Sequence, residues 1–484
     1  MNHRMYVGGK WVGARDGRSY SIPNPATEEP IGTAPQATLE DMRQAIAVAR
    51  AAFDDGPWPR MSREERRRIL WQIADGMERN RKRLCDIVIA ESAATHDMLW
   101  VQVDKPIEYM RNYAELAVSF DYEEMLPVAQ ASFRGFPLDI NGMAYHAPVG
   151  VCGLVPTWNV PLHVTVEKVG PALATGCTMV VKPSPYAPLA NLELARIIDE
   201  TDLPKGVFNV VTGEGTDIAR ELVSHPMIDK VSFTGSVATG KAIARAAADT
   251  LKRVHLELGG KSANIVLEDA PLELIGAGLA GPAVTQAGQG CVMTTRVLVP
   301  ARHHDRLVAD MVSFVKLARI GNPVDPEVTM PPLIREERRG KVEEYIESGR
   351  QQGAVLATGG GRPPGLPRGY FLEPTIFAAA DNAMRIAREE IFGPVVTVIP
   401  YRDEEEAIRI ANDSSYGLGA SIVTANKVRG RELAKRLRVG SVLIGTMPNL
   451  THSPFGGFKE SGIGREGGKW GILDYSEICA INWG

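Results

Sequence analysis

Cysteine is scarce in this chain of 484 residues, with five in all: Cys85, Cys152, Cys177, Cys291 and Cys479. They are odd in number, far apart and without C-x-x-C spacing. That argues against a disulfide framework and a zinc site, no metal is expected, and the pattern suits a reducing compartment. An excess of one charge is also missing. Lys and Arg number 54 against 58 Asp and Glu, a formal net charge of -4. Such a balance gives no footprint for nucleic acid or an acidic membrane. No apolar run approaches the roughly 20 residues that span a bilayer. Met1-Asn2-His3-Arg4-Met5-Tyr6 carries no apolar signal core. The expectation is a soluble cytoplasmic protein with neither membrane nor nucleic-acid partners. Internal repeats are absent, and so is a clean G-x-G-x-x-G.

With 44% hydrophobic and 23% charged residues, the chain can bury a large core, and its length suggests about three lobes. Residues 5–35 read as short extended pieces and turns. Helical periodicity runs from Leu39 to Phe53. Ser62-Arg63-Glu64-Glu65 has capping-box form and opens a helix to about Asn80, with Arg66, Arg67 and Arg68 expected on its solvated face. Two further helical stretches reach about Phe120, and 124–147 is irregular and extended. From Pro148 strands alternate with helices: strands at 149–155, 177–181, 207–211, 230–233 and 254–258, and helices at 162–175, 189–200, 216–224 and 239–248. This spacing predicts β-α-β units and a doubly wound parallel sheet, which binds ligands beyond the carboxyl ends of its strands. A second α/β unit follows Gly259-Gly260. Its expected helices are 271–287, 303–318, 335–352, 404–412 and 426–438. Its expected strands are 296–299, 395–400, 420–423 and 441–445. The Gly- and Pro-rich tracts 359–369 and 451–468 read as loops.

Four stretches carry candidate chemistry. Cys291 follows Gln286-Ala287-Gly288-Gln289-Gly290, a run of small residues that suits a thiol on a turn, although free cysteines are commonly just buried hydrophobes. Glu257 closes an apolar strand, where burial would raise its pKa toward that of a neutral-pH base; a paired structural Glu would look the same. Phe233-Thr234-Gly235-Ser236 opens a helix and offers N–H groups to phosphate, or it is a tight turn. Gly213-Glu214-Gly215 is a weaker version of that signal. Asn159, in Pro156-Thr157-Trp158-Asn159-Val160-Pro161, is an oxyanion donor or a turn residue.

Taken together and in order, these pieces resemble the NAD(P)-dependent aldehyde dehydrogenase superfamily. The resemblance rests also on Gly170–Gly176, Val181-Lys182-Pro183-Ser184, Glu257-Leu258-Gly259-Gly260-Lys261, Glu389-Glu390-Ile391-Phe392-Gly393-Pro394-Val395 and Pro454–Gly462, and it runs almost end to end. It implies an α/β fold of three parts. A doubly wound NAD(P)-binding domain takes 1–123 and 148–257, with 452–469 returning to it. A second α/β catalytic domain takes 258–451. A small β flap for oligomerisation takes 124–147 and 470–484, and implies a homodimer or homotetramer. It further implies that Cys291 attacks the aldehyde, Asn159 holds the oxyanion and Glu257 activates water against the thioester. NAD or NADP would be held by Val155, Pro156, Thr157, Trp158, Lys182, Ser184, Gly215, Phe233, Gly235, Ser236, Leu258, Gly259, Glu390 and Phe392.

One position departs from the family pattern. Many NAD-linked members carry a Glu three residues after the Lys, where this chain has Pro185. A carboxylate there binds the ribose hydroxyl and repels a 2′-phosphate, so its loss leaves NAD and NADP both open. The substrate tunnel is expected to be lined by Val160, His163, Val164, Glu167 and Phe455, wider and more polar than the usual aromatic one. A CoA-acylating relative is the alternative activity, which Glu257 argues against. A non-catalytic protein on the same fold would be expected to lose Cys291 or Glu257.

Overall fold

The computed structural model describes residues 3–445 and 451–484. Two large sheets organise the chain. In the first, five parallel strands lie in the order Phe208–Val210, Thr178–Val181, Val151–Val155, Lys230–Thr234, Arg253–Glu257. Strand order reverses between Val151–Val155 and Lys230–Thr234. A crevice opens at such a switch point, because the chains leaving the two strands turn to opposite faces. The four central strands are buried along nearly their whole length, as a sheet covered by helices on both faces requires. Met5–Val7 and Lys10–Val12 extend one edge, and Gly462–Ile463 pairs with Arg253–Glu257 at the other.

The second sheet runs Val355–Thr358, Thr375–Ala378, Val395–Tyr401, Arg296–Pro300, Ala263–Val266, Gly419–Val423, Ser441–Ile444, parallel except for its first strand. Buried apolar clusters pack both faces of each sheet. A third, antiparallel sheet joins Phe136–Pro148 to Ser476–Trp483, Glu123–Met125 and Ala129–Phe133.

Several expectations need correcting. The helix expected over 271–287 is broken into Leu272–Leu274, Gly276–Ala280, Gly281–Ala283 and Thr285–Gly288. Pro271, Pro282 and the glycines interrupt the helical ladder, and Gln286 and Ala287 take left-handed backbone angles (φ 50 and 49). Arg66 is not on a solvated face. It is 6% exposed, and its guanidinium donates to the carbonyls of Ala174 (3.1 Å) and Met61 (2.7 Å), which satisfies a carbonyl at the end of helix Pro161–Thr175. Arg67 and Arg68 do face solvent, paired with Glu115 and Asp202. The strands Ala263–Val266, Val355–Thr358 and Thr375–Ala378 and the helix Gly468–Asp474 are among the elements added, and the tract 451–468, expected as loop, holds the short strands Phe458–Lys459 and Gly462–Ile463. Positions 446–450, inside the stretch assigned to the catalytic domain, lie outside the described residues. Among the described residues no helix is long and apolar enough to cross a membrane.

Candidate active site

Asn159 and Glu257 are delivered by the end of a strand or the loop after it, and Cys291 by the turn between a short helix and the strand Arg296–Pro300. Asn159 follows Val151–Val155. Its backbone carbonyl accepts from Gln102 Nε2 at 2.8 Å, and its Nδ2 donates to the Gln289 carbonyl at 2.9 Å. Glu257 ends its strand and is 3% exposed. Cys291 comes from the second sheet's side, on the turn after Thr285–Gly288. The left-handed turn there is pinned from several directions. Gln286 Nε2 donates to the Ser92 carbonyl (3.3 Å), while Gln289 donates to Gln286 and Pro332 and accepts from the Ile334 N–H. At Gly288 (φ +71) a Cβ would sit 2.0 Å from the Gly393 carbonyl oxygen, so only glycine lets the turn close on that loop.

Two cavities meet at these three residues. One, of about 250 Å³, is lined by Trp100, Lys105, Tyr109, Val160, His163, Val164, Glu167 and Phe455 among others, and its floor holds Asn159, Glu257 and Cys291. The other, of about 290 Å³, is a cleft lined by Thr157, Trp158, Gly235, Ser236, Gly259, Arg338, Glu390 and Phe392, and it reaches the same Asn159, Glu257 and Cys291. The expected tunnel residues Val160, His163, Val164, Glu167 and Phe455 all line the first cavity. A ligand in each cavity would have its reacting end against the Cys291 thiol.

The electrostatics of the meeting point hang together. Burial above all lifts the Glu257 pKa to about 8, with the nearby Glu466 carboxylate adding to it. Glu257 Oε1 is buried with no hydrogen-bond partner, and the Cys291 thiol lines the same cavities. Burial, then the Glu257 carboxylate, hold the Cys291 thiol well above its ordinary range. Thiol and carboxyl therefore compete for one proton, and Glu257 is the group placed to take it.

The cleft fits a dinucleotide. Lys182, at the carboxyl end of Thr178–Val181, is 4% exposed, and its ammonium reaches the Pro183 carbonyl at 3.3 Å. Burial pulls its pKa down to about 8, so it lacks acceptors of the kind ribose hydroxyls supply. Ser236 caps helix Val237–Ala248, its Oγ accepting from the Thr239 N–H at 3.3 Å, which leaves the neighbouring N–H groups to face the cleft. Glu390 Oε1 accepts from the Gly260 N–H at 3.1 Å. A Cβ at Gly259 would stand 2.1 Å from Glu390 Oε2, so a side chain there would evict the carboxylate. Burial raises the Glu390 pKa to about 7. Phe392, at φ +52, meets Trp158 edge to face at 5.4 Å.

Lys182 and the remaining sequence-selected positions do not line this cleft. Val155 and Pro156 lead into it. Phe233 and Leu258 are core side chains, 7% and 4% exposed, so only their backbone could touch a ligand. Gly215 sits in an exposed turn before Asp217–Ser224. Ser184 Oγ accepts from the Tyr186 N–H at 3.3 Å. Sequence reasoning missed Arg338, which lines the cleft, and Trp100, Lys105 and Tyr109, which line the tunnel from a helical region with no motif to mark it. It also missed Arg335, whose guanidinium lies 4.2 Å over the Tyr186 ring beside the Lys182 loop.

The aldehyde dehydrogenase family model matches residues 11–481. This chain belongs to the aldehyde dehydrogenase family. It is an NAD(P)-dependent enzyme that oxidises an aldehyde. It is 41% identical to a 3-succinoylsemialdehyde-pyridine dehydrogenase of a Pseudomonas species, over 99% of this chain and 98% of that one. It is 38% identical to the betaine aldehyde dehydrogenase of Bacillus subtilis, over 100% and 99%. Among solved structures it resembles an NAD+ complex of a Bacillus cereus aldehyde dehydrogenase, with a TM-score of 0.95 and 37% identity over 100% and 96% of the two chains.

Proposed function

We propose that the enzyme oxidises its aldehyde to a carboxylic acid by covalent catalysis at Cys291. The observation that carries this is the meeting of tunnel and cleft at Asn159, Glu257 and Cys291. Glu257 takes the thiol proton, and the thiolate attacks the carbonyl carbon. One Asn159 Nδ2 N–H is spent on Gln289; the other donates to the oxygen as it becomes an oxyanion. The Cys291 N–H donates to no backbone carbonyl among the described residues and serves as the second donor. A nicotinamide held in the cleft would supply the hydride acceptor, and the carbon that gives up its hydride remains as a thioester on Cys291. Glu257, once it has given the thiol's proton to solvent, takes a proton from water, whose oxygen attacks the thioester carbon and releases the acid and the Cys291 thiolate. A carboxyl group with a pKa near 8 suits that work at neutral pH.

Water is favoured over CoA as the acyl acceptor because a base faces the thioester. Lys182, Ser236, Gly259, Glu390, Phe392 and Arg338 would hold the cofactor, with Arg338 taking part in a way the sequence did not suggest. The cofactor part takes 1–123 and 148–257, with 452–469 returning to it, and the catalytic part 258–451. The flap of 124–147 and 470–484 leaves Met125, Val128, Phe136 and Ile478 more than half exposed. Apolar edges of that kind seek a second subunit, which supports a homodimer or homotetramer. The five unpaired thiols support a cytoplasmic setting.

Measuring NAD(P)H formation with a panel of aldehydes, with and without CoA, tests the reading. Oxidation without CoA that is lost in Cys291→Ala is expected. A strict requirement for CoA would overturn it.

A further inference from the structure

Helix Pro161–Thr175 turns His163, Val164 and Glu167 toward the tunnel. Glu167 is 6% exposed on a wall that is otherwise largely apolar. A carboxylate in such a place needs a partner. His163 Nδ1 lies 2.8 Å from the Val101 carbonyl oxygen and must carry a hydrogen. His163 Nε2 lies 3.6 Å from Glu167 Oε1. A bare lone pair there would face a carboxylate, whereas an N–H faces it favourably, so the imidazolium form satisfies both neighbours. Burial opposes that charge, but Glu167 and the Val101 carbonyl together bring the His163 pKa above its ordinary value.

The other charges around the tunnel are compensated without His163. Lys105 pairs with Glu108 at 2.8 Å, and Lys168 with Glu466 at 2.5 Å. Tyr109 also stands near Glu167 on the tunnel wall, but it brings no charge. Two aromatic rings of a kind that receives cations already face one of the protein's own. Lys105 Nζ lies 5.3 Å from the Trp100 centroid, and the His163 and Tyr109 rings meet at 5.2 Å and 88°.

We propose that His163 sets the charge selectivity of the tunnel: it neutralises Glu167, so the tunnel takes uncharged aldehydes, and Glu167 is a latent seat for a cationic head group. This rests on reading the tunnel as the aldehyde's path. Specificity here is a difference between two affinities, and the repulsive element is the protein's own cation.

The test compares kcat/KM for hexanal and for a trimethylammonio-substituted aldehyde of similar length. It uses wild type, His163→Leu, His163→Gln and the double variant His163→Leu, Glu167→Gln. Wild type should favour hexanal. Removing the imidazole should move the ratio by about tenfold or more toward the cation, chiefly through its KM. The double variant should lose that gain, which a merely structural role for His163 would not produce. His163→Gln keeps a donor for Val101 and should shift the ratio in the same direction, so it stands in if the Leu variant does not fold. An unmoved ratio with hexanal oxidation retained overturns the proposal, as does a wild type that prefers the cation. A wild type that oxidises neither aldehyde would instead sink the reading of the tunnel.

Discussion

Asn159 reaches across from the first sheet to the second, its Nδ2 donating to the Gln289 carbonyl at 2.9 Å. Gln289 lies two residues before Cys291, so the amide and the thiol are set on one rigid connection. Its Oδ1 is buried without a partner, an arrangement that costs stability and is kept where the remaining N–H has a task. Asn159→Ala should lower kcat by about a hundredfold or more, the loss typical of one oxyanion donor. Single-turnover measurement of NAD(P)H formation should place that loss in the first half-reaction.

Cys291→Ala should abolish aldehyde oxidation while leaving the fold and NAD(P) binding intact. The side chain is small and sits where two cavities meet, so its loss opens little new space in the core. Residual turnover above roughly a percent of wild type would point to another nucleophile. Circular dichroism and cofactor titration separate loss of chemistry from loss of fold.

Glu257→Gln should uncouple the half-reactions. A burst of about one NAD(P)H per site, then a slow steady state, is expected when thioester hydrolysis loses its base. Mass spectrometry should find an acyl adduct on Cys291. In wild type the base form of Glu257 is present above its pKa of about 8 and lost below it. Deacylation should therefore speed up as pH rises through that value, and a flat profile between pH 6 and 9 would remove Glu257 from the role.

The order of the site was legible because strand-to-turn alternation is a local signal. Glu257 closes the strand Arg253–Glu257, while Asn159 and Ser236 follow Val151–Val155 and Lys230–Thr234 within a few residues. What was not legible depends on distant chain. Arg66 reads as surface until the Ala174 carbonyl is seen beneath it. In 271–287 the breaks at Pro271, Pro282 and the glycines are local, but the left-handed geometry of Gln286 and Ala287 goes with the distant contacts of Gln286 and Gly288. Trp100, Lys105 and Tyr109 stand on the tunnel wall through helix packing, for which no motif exists.

Glu91 is fully buried, and its two carboxylate oxygens accept from the N–H groups of Leu189 (2.6 Å) and Ala190 (2.8 Å). It thus caps helix Leu189–Asp199, the helix that ends the Lys182 loop. Burial raises its pKa to about 8 although both N–H groups hold it down. Glu91→Ala should leave two donors unsatisfied and cost on the order of 1–3 kcal/mol for each. The thermal midpoint should fall, and the KM for NAD(P) should rise more than that for aldehyde. An equal effect on both would assign Glu91 to general stability.

The last prediction concerns Pro185. No carboxylate at this position repels a 2′-phosphate, and the buried ammonium of Lys182 is three residues away along the same loop. NADP should therefore be accepted, with a ratio of catalytic efficiencies well short of strict NAD specificity. The loop's own sequence holds no Arg to grip a phosphate through two parallel bonds, which keeps NAD first. Arg335 comes close from the other side of the loop, but its guanidinium is stacked on Tyr186 at 4.2 Å. Pro185→Glu should shift preference toward NAD, chiefly by weakening NADP. It gains one hydroxyl contact and one like-charge repulsion, on the order of 1–3 kcal/mol together. Arg335→Ala, as a companion, should leave the ratio unchanged if the stacking on Tyr186 is all that Arg335 does. Steady-state kinetics with both cofactors on the three proteins reads this out. A wild type that rejects NADP outright would mean that another group guards the ribose pocket, and the inference from Pro185 would fall.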